Sequence, residues 1–318
     1  MIPVLRLAIA LPRVVLHIAV GFGIIAFGFP IISHVARQRV IRWWSGRVLA
    51  ICGVSVRVVW PDRGTGDGPH AAARHTVATA MRPGGGAMLV MNHISWLDIH
   101  VVHSQWPARF IAKAEIARWP ILGYLTDRTG TIFIERGKRH AVREVNHRAA
   151  QLLRDGELVA MFPEGTTSDG DRLLPFHVNL IQSAIDARAT IVVAGLRYLD
   201  RQGRLTSAAS YVGDINLLQS IVRLIRMGPV TAELHLIDAI DVFDGAVTVT
   251  RHEVGQRARA LIAEALGFDD EREEAAEGIS TVIVVPDAPQ IDRGAAGAGR
   301  PGAARRTEME IDARDELL

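Results

Sequence analysis

An imidazole and a carboxylate stand five residues apart in Asn92-His93-Ile94-Ser95-Trp96-Leu97-Asp98. A neutral imidazole can take the proton of a hydroxyl as its oxygen attacks a carbonyl, and a carboxylate behind the ring can fix its tautomer and stabilise the imidazolium. On one continuous helix an offset of five would turn the two side chains about 140° apart. They meet only if His93 precedes a helix and Asp98 lies in its first turn. Ser95-x-x-Asp98 resembles a capping box and would start a helix at Ser95. The plainer reading is that Asp98 only caps that helix and His93 is a loop histidine. In a chain with 12 histidines the spacing alone is a weak signal.

Two further polar clusters follow apolar runs of strand length. Phe162-Pro163-Glu164-Gly165-Thr166-Thr167-Ser168 combines a glycine that lets backbone approach a ligand, three hydroxyls, and a carboxylate that could hold a polyol. Residues 130–136 end in Arg136, whose guanidinium could pair bidentately with a phosphate. Each cluster alone is compatible with turn chemistry. Their shared place after strands is what suggests one site, because open α/β sheets put sites at the carboxyl ends of strands.

Other chemistries fit less well. His93, Asp98, His100 and His103 fall within eleven residues, but no Glu-flanked histidine pair of the zincin type is present, so no metal is expected. No Gly-x-Ser-x-Gly elbow offers a serine nucleophile. Cys52, the only cysteine, lies in an apolar stretch and is expected as a buried thiol; with no second cysteine there is no internal disulfide. His147 and His177 read as surface or loop histidines.

The elements that would position these groups alternate. Strands are expected at residues 87–91, 109–113, 131–135, 157–162, 190–197 and 230–237, and helices from about 95 and at 139–154, 178–187, near 215–225 and at 251–266. The fold class is therefore α/β, a mixed central sheet flanked by helices, with an N-terminal membrane-associated helical segment. That segment, residues 1–51, contains about twenty uncharged residues at 14–33, close to a membrane-spanning length. A basic amphipathic stretch with Trp43 and Trp44 follows. A re-entrant or half-immersed helix pair fits as well as a full span; no small-x-small cleavage site precedes the arginines. Arg37, Arg39 and Arg42 favour the cytoplasmic face of a bacterial inner (plasma) membrane.

The catalytic α/β domain is expected over residues 52–268, interrupted by a Gly/Ala/Pro/Thr-rich surface loop or partly disordered insertion at 61–86. Residues 269–318 carry 13 acidic and 6 basic side chains and read as a disordered acidic tail. The remainder has 30 basic against 21 acidic residues. No nucleic-acid-binding pattern accompanies that charge, so an anionic membrane surface is the expected partner and nucleic acid is not.

Asn92-His93-x-x-x-x-Asp98, residues 130–136, Phe162-Pro163-Glu164-Gly165-Thr166 and residues 190–196 resemble, in order and spacing, the four motifs of the 1-acylglycerol-3-phosphate (lysophosphatidic acid) acyltransferase family. The likeness covers roughly residues 35–235. It implies acyl transfer from acyl-CoA or acyl-carrier protein to a lysophospholipid hydroxyl, giving phosphatidic acid, with no cofactor beyond that donor. His93 would be the general base and Asp98 its orienting carboxylate. Arg136, with Lys113 as a second cation, would grip the acceptor phosphate, and Glu164, Gly165 and Thr166 would position the glycerol. Departures from the motifs are Thr167 where arginine is frequent and Val193 where proline is usual. The Thr-Thr-Ser version resembles a subset that includes lyso-ornithine lipid acyltransferases. A non-catalytic lipid-binding protein is the alternative from another class, against which the intact His93 and Asp98 argue.

Overall fold

The computed structural model describes residues 2–61, 69–135, 139–243 and 249–268. Arg136 and the acidic segment 269–318 lie outside the described residues. In chain order the elements are α1 (Ile2–Gly23), α2 (His34–Ile51), β1 (Val54–Val59), α3 (Pro69–Ala80), β2 (Met88–Met91), α4 (Leu97–Gln105), β3 (Arg109–Lys113) and α5 (Leu122–Arg128). There follow β4 (Ile132–Ile134), α6 (Arg139–Arg154), β5 (Val159–Met161), α7 (Gln182–Ala187), β6 (Ile191–Leu199), α8 (Leu217–Met227), β7 (Val230–Ile240) and α9 (Arg251–Leu266).

The strands form one seven-stranded sheet in the order β1-β7-β6-β2-β5-β3-β4. β2 pairs in parallel with both β5 and β6, and β3 in parallel with β5 and β4. β6 and β7 are antiparallel, which makes the sheet mixed. Because β2, β3, β4 and β5 run the same way, the residues that follow them emerge on a single edge.

β2 is central, and every one of its residues is buried. Leu89 and Met91 face one core with Leu49, Val77, Val101 and Leu224 from α2, α3, α4 and α8. Met88 and Val90 face the other, with Val145 and Ala149 of α6, Ala184 of α7 and Ala258 and Ile262 of α9. A strand covered on both faces reads as a continuous apolar run, as MLVM does. Cys52 belongs to the first core, and burial pushes its thiol up to about 12.

The segment 61–86 is not a plain surface loop. Its later part forms α3, which opens on Pro69 and carries five alanines. Proline at the first helical position gives up an amide that would have no partner there anyway, and alanine is the strongest helix former. Val77 is completely buried and Ala80 and Met81 pack beside it, so the helix is part of the core. Composition concealed this, because the surrounding Gly and Pro residues dominate the window.

The N-terminal apolar helix also begins earlier than residue 14. α1 runs from Ile2, one wider π turn covers Ile24–Gly28, and α2 then folds back, capped by the Ser33 hydroxyl, which accepts from the Ala36 amide. Val4–Gly28, of mean hydropathy 2.0, is long and apolar enough to cross a membrane. The two helices are locked by a reciprocal pair: His17 Nε2 lies 3.0 Å from the Trp44 carbonyl, and Trp44 Nε1 donates to the His17 carbonyl at 3.2 Å. Gly21 makes this possible, because a Cβ there would lie 2.4 Å from Trp44 Nε1. α1 packs on α8 through Leu7, Ala10, Leu11 and Val14, while Val4, Leu5, Val15 and Leu16 stay exposed.

If α3 is a core helix, Val77→Asp places a carboxylate where no water reaches. The variant is expected to melt at least roughly 10 °C below wild type. An unchanged melting midpoint in a thermal scan would return the segment to the status of a dispensable loop.

Candidate active site

Met91 ends β2 and Met161 ends β5, and these adjacent parallel strands deliver the His93 and Glu164 loops side by side. Asn92 fixes where the first loop leaves the sheet. Its side chain is fully buried, donates to the Leu196 carbonyl at 2.9 Å and accepts from the Leu196 amide at 2.7 Å. An asparagine amide carries both functions and so substitutes for one residue of strand pairing with β6.

His93 precedes α4 and Asp98 lies in its first turn. His93 Nδ1 is 2.8 Å from Asp98 Oδ2. The helix starts at Leu97 rather than Ser95: the Ser95 hydroxyl accepts from the Leu97 amide at 3.3 Å, and Asp98 reaches back to the loop. Its Oδ2 also accepts the amides of Ile94 at 2.7 Å and Ser95 at 3.0 Å. Its Oδ1 accepts the hydroxyl of Tyr198, on β6, at 2.7 Å. Asp98 is fully buried, and four donors replace the water it has lost.

A carboxylate that accepts from Nδ1 sets the tautomer with the proton on Nδ1, which leaves the Nε2 lone pair for another proton. The ring is held flat against Phe162, with centroids 3.8 Å apart and planes 8° apart, and Phe162 stacks in turn on Phe110. The His93 side chain keeps 17% of its surface exposed. The ring is thus fixed from behind by Asp98 and walled on one face by Phe162, with part of the side chain left exposed.

Glu164 does a different job from the one its motif suggested. It is 3% exposed, and Oε1 accepts the His93 amide at 2.7 Å while Oε2 accepts the Leu174 amide at 3.0 Å. Each oxygen accepts a backbone amide in a nearly buried side chain, which fits a structural clamp more directly than the expected polyol contact. It clamps the His93 loop to the loop after β5. Burial is the main cause that pushes its carboxyl up to about 7, and the nearby charge of Asp98 adds to it; the two amides pull the other way.

Gly165 takes φ 64°, the left-handed region that glycine enters without strain, and its amide closes the turn onto the Phe162 carbonyl at 3.0 Å. Thr166 is exposed on that turn. Thr167 donates to the Tyr211 carbonyl, and Ser168 donates to the His93 carbonyl through its amide at 2.8 Å and its hydroxyl at 3.2 Å. Two of the three hydroxyls therefore brace the site from within. Lys113, half-buried, closes β3 on the same edge; Arg136, expected past the end of β4, lies outside the described residues.

The remaining histidines of the cluster turn elsewhere. His100 packs between Trp44 and Trp96 beside Ser45, and His103 Nε2 meets the Ala108 carbonyl at 3.0 Å. Burial lowers His100 to about 3 and His103 to about 4, so both are neutral packing groups. Among the described residues no group of three or more His, Cys, Asp or Glu side chains is placed to hold a metal. Tyr198 is the site residue that sequence reasoning missed; the alternation of β6, which puts it on the same face as Leu196, was the available signal.

A family model described as Acyltransferase matches residues 72–197, the span from α3 to β6. The 1-acyl-sn-glycerol-3-phosphate acyltransferase of Neisseria gonorrhoeae is 37% identical over 183 residues, covering 56% of this chain and 70% of that protein. The lyso-ornithine lipid O-acyltransferase of Pseudomonas aeruginosa is 30% identical over 267 residues, 80% of this chain and 93% of that protein. The crystal structure of the 1-acyl-sn-glycerophosphate acyltransferase of Thermotoga maritima covers 80% of this chain and 88% of its own, with a TM-score of 0.50 at 17% identity, and shows the shared fold. The chain belongs to the 1-acyl-sn-glycerol-3-phosphate acyltransferase family. It is an O-acyltransferase of lipid biosynthesis.

The clamp role of Glu164 has a signature in stability. Its carboxyl sits at about 7 in the fold against an ordinary 4.5, so the folded state holds a proton that the unfolded chain releases. The stability it contributes relative to Glu164→Gln is thus full below pH 4.5 and is lost as pH rises through 7. The difference in melting temperature between wild type and Glu164→Gln should decline by several degrees across that window. A difference that is flat with pH would refute the buried, proton-holding carboxyl.

Proposed function

We propose that the protein transfers a fatty acyl group from a thioester, acyl-CoA or acyl-carrier protein, to the free hydroxyl of 1-acyl-glycerol-3-phosphate, forming phosphatidic acid. The observation that carries this reading is the 2.8 Å contact of His93 Nδ1 with a buried Asp98, on a side chain that keeps 17% of its surface exposed. The acceptor hydroxyl gives its proton to Nε2 as its oxygen attacks the thioester carbonyl; the new C–O ester bond forms and the C–S bond breaks. The imidazolium then returns the proton to the departing thiolate. Asp98 stabilises the imidazolium through this cycle, and no acyl group is carried on the enzyme.

Acceptor recognition belongs to the same edge of the sheet. Arg136 and Lys113, one past β4 and the other ending β3, are assigned to the phosphate, and Gly165 with Thr166 to the glycerol backbone. No metal or cofactor is needed for these steps. The exposed apolar side of α1 is assigned to the lipid phase, with the site on the cytoplasmic face and the basic surface toward anionic headgroups.

A second acceptor has specific support. The likeness to the Pseudomonas aeruginosa lyso-ornithine lipid O-acyltransferase extends over 93% of that protein, beyond the segment shared with the Neisseria enzyme. Ornithine lipid carries no phosphate, so a phosphate-gripping arginine separates the two readings.

Purified protein in detergent, given lysophosphatidic acid and an acyl thioester, should release thiol, and His93→Ala should lower kcat by at least about a thousandfold. Arg136→Ala should raise KM for lysophosphatidic acid by roughly tenfold or more while leaving kcat nearly unchanged. Turnover of lyso-ornithine lipid alone would replace the phosphate-bearing acceptor. Equal inactivity of wild type and His93→Ala across both acceptors and both donors would end the enzymatic reading at this site.

A further inference from the structure

Asp98 is held at two ends, and only one end is local. Oδ2 serves His93, Ile94 and Ser95, all within five residues of Asp98. Oδ1 is met by the hydroxyl of Tyr198, a hundred residues away on β6, at 2.7 Å. Tyr198 is 2% exposed, and its ring lies in the core with Leu97, Val101 and Leu196. Packing alone would be served by phenylalanine. The added hydroxyl has one visible use, to donate to a carboxylate with no access to water.

We infer that Tyr198 is a positioning residue of the acyl transfer, acting through Asp98 to set the orientation and basicity of His93. The inference rests on the reading of His93 as the general base. Burial and the charge of Asp98 both hold the Tyr198 phenol well above its usual range, so the group stays a donor throughout the working pH range. A phenol donating to Oδ1 draws charge away from the carboxylate. With less charge behind it, the imidazole releases its proton more readily, which suits a base that must return the proton to the leaving thiolate. The hydrogen bond also stops the carboxylate from swinging about its Cβ–Cγ bond, which would spoil the 2.8 Å contact with His93.

The role is separable from a merely structural one. Tyr198→Phe deletes only the hydroxyl. It should lower kcat about tenfold or more, with KM for both substrates within about twofold of wild type, since a hydrogen bond to a charged group carries that order of effect. The acidic limb of the pH–rate profile should move to higher pH, because Asp98 then keeps more of its charge. Site-specific replacement of Tyr198 by 3-fluorotyrosine, a stronger donor of nearly the same shape, should move that limb to lower pH, and this measurement stands even where the phenylalanine variant folds poorly. In an Asp98→Asn background, Tyr198→Phe should add less than about a twofold further loss, the non-additivity expected of groups that act as one unit.

A lowered melting temperature with wild-type kcat and an unmoved acidic limb would overturn the inference and leave Tyr198 a packing residue. Independent, multiplicative losses in the Asp98→Asn background would overturn it as well. His93→Ala carries the separate test: full activity in that variant removes the general-base reading itself, whatever Tyr198 does.

Discussion

A carboxylate with no exposure to water must find its hydrogen bonds inside the protein, and the site is organised around meeting that demand for Asp98. Three of its four donors come from the loop just ahead of it, so the loop must wrap its amides toward the first turn of α4. That wrapping is what brings His93 within reach despite a spacing that would separate the pair on a helix. The fourth donor, from β6, requires β6 to lie directly beside β2, which the sheet order provides. Asn92 enforces the same adjacency from the other side by pairing with both backbone groups of Leu196. The local contact that orients the His93 ring thus depends on a long-range one between β2 and β6, which lie side by side in the core.

Glu164 repeats the logic at the neighbouring strand end. It too is buried, and it accepts the amide of His93 itself, so consecutive amides from 93 to 95 are divided between two carboxylates. Burial, with the Asp98 charge adding to it, raises the cost of ionising Glu164 and lifts its carboxyl to about 7. Asp98 has Tyr198 and the imidazole as additional donors, whereas Glu164 has two amides. The different donor sets explain why carboxylates joined to one loop serve as orienter and clamp.

Much of this was legible in the sequence, for definite reasons. β3, α6 and α9 fall at residues 109–113, 139–154 and 251–266 because their periodicity is strong and they end at clear breaks. His93 and Asp98 were legible less from their spacing than from the polar clusters at 130–136 and 162–168 that follow other strands in the same motif order. α3 was not, since alanines set among Gly and Pro carry no apolar period. The inward turn of Glu164 was not, since a carboxylate in a Pro-x-Gly turn looks solvent-facing until the neighbouring strand supplies the His93 amide. For Tyr198 the alternation of β6 gives its face but not its partner, which is fixed by strand order: nothing within ten residues of it hints at Asp98.

The N-terminal hairpin joins the same framework rather than standing beside it. α2 runs against α4, the helix whose first turn holds Asp98, with His100 set between Trp44 and Trp96. Trp96, three residues past His93, packs among Leu7, Leu11 and Val14 of α1 and donates through its indole to Ser220 on α8. One side of α1 is therefore a wall behind the His93 loop, while its other side presents Val4, Leu5, Val15 and Leu16 outward. An apolar surface of that kind is unfavourable in water and favourable in lipid. The same helix abuts the loop that carries His93, through its contacts with Trp96. Burial keeps His100 neutral, so this imidazole adds no charge where it packs between Trp44 of α2 and Trp96 ahead of α4.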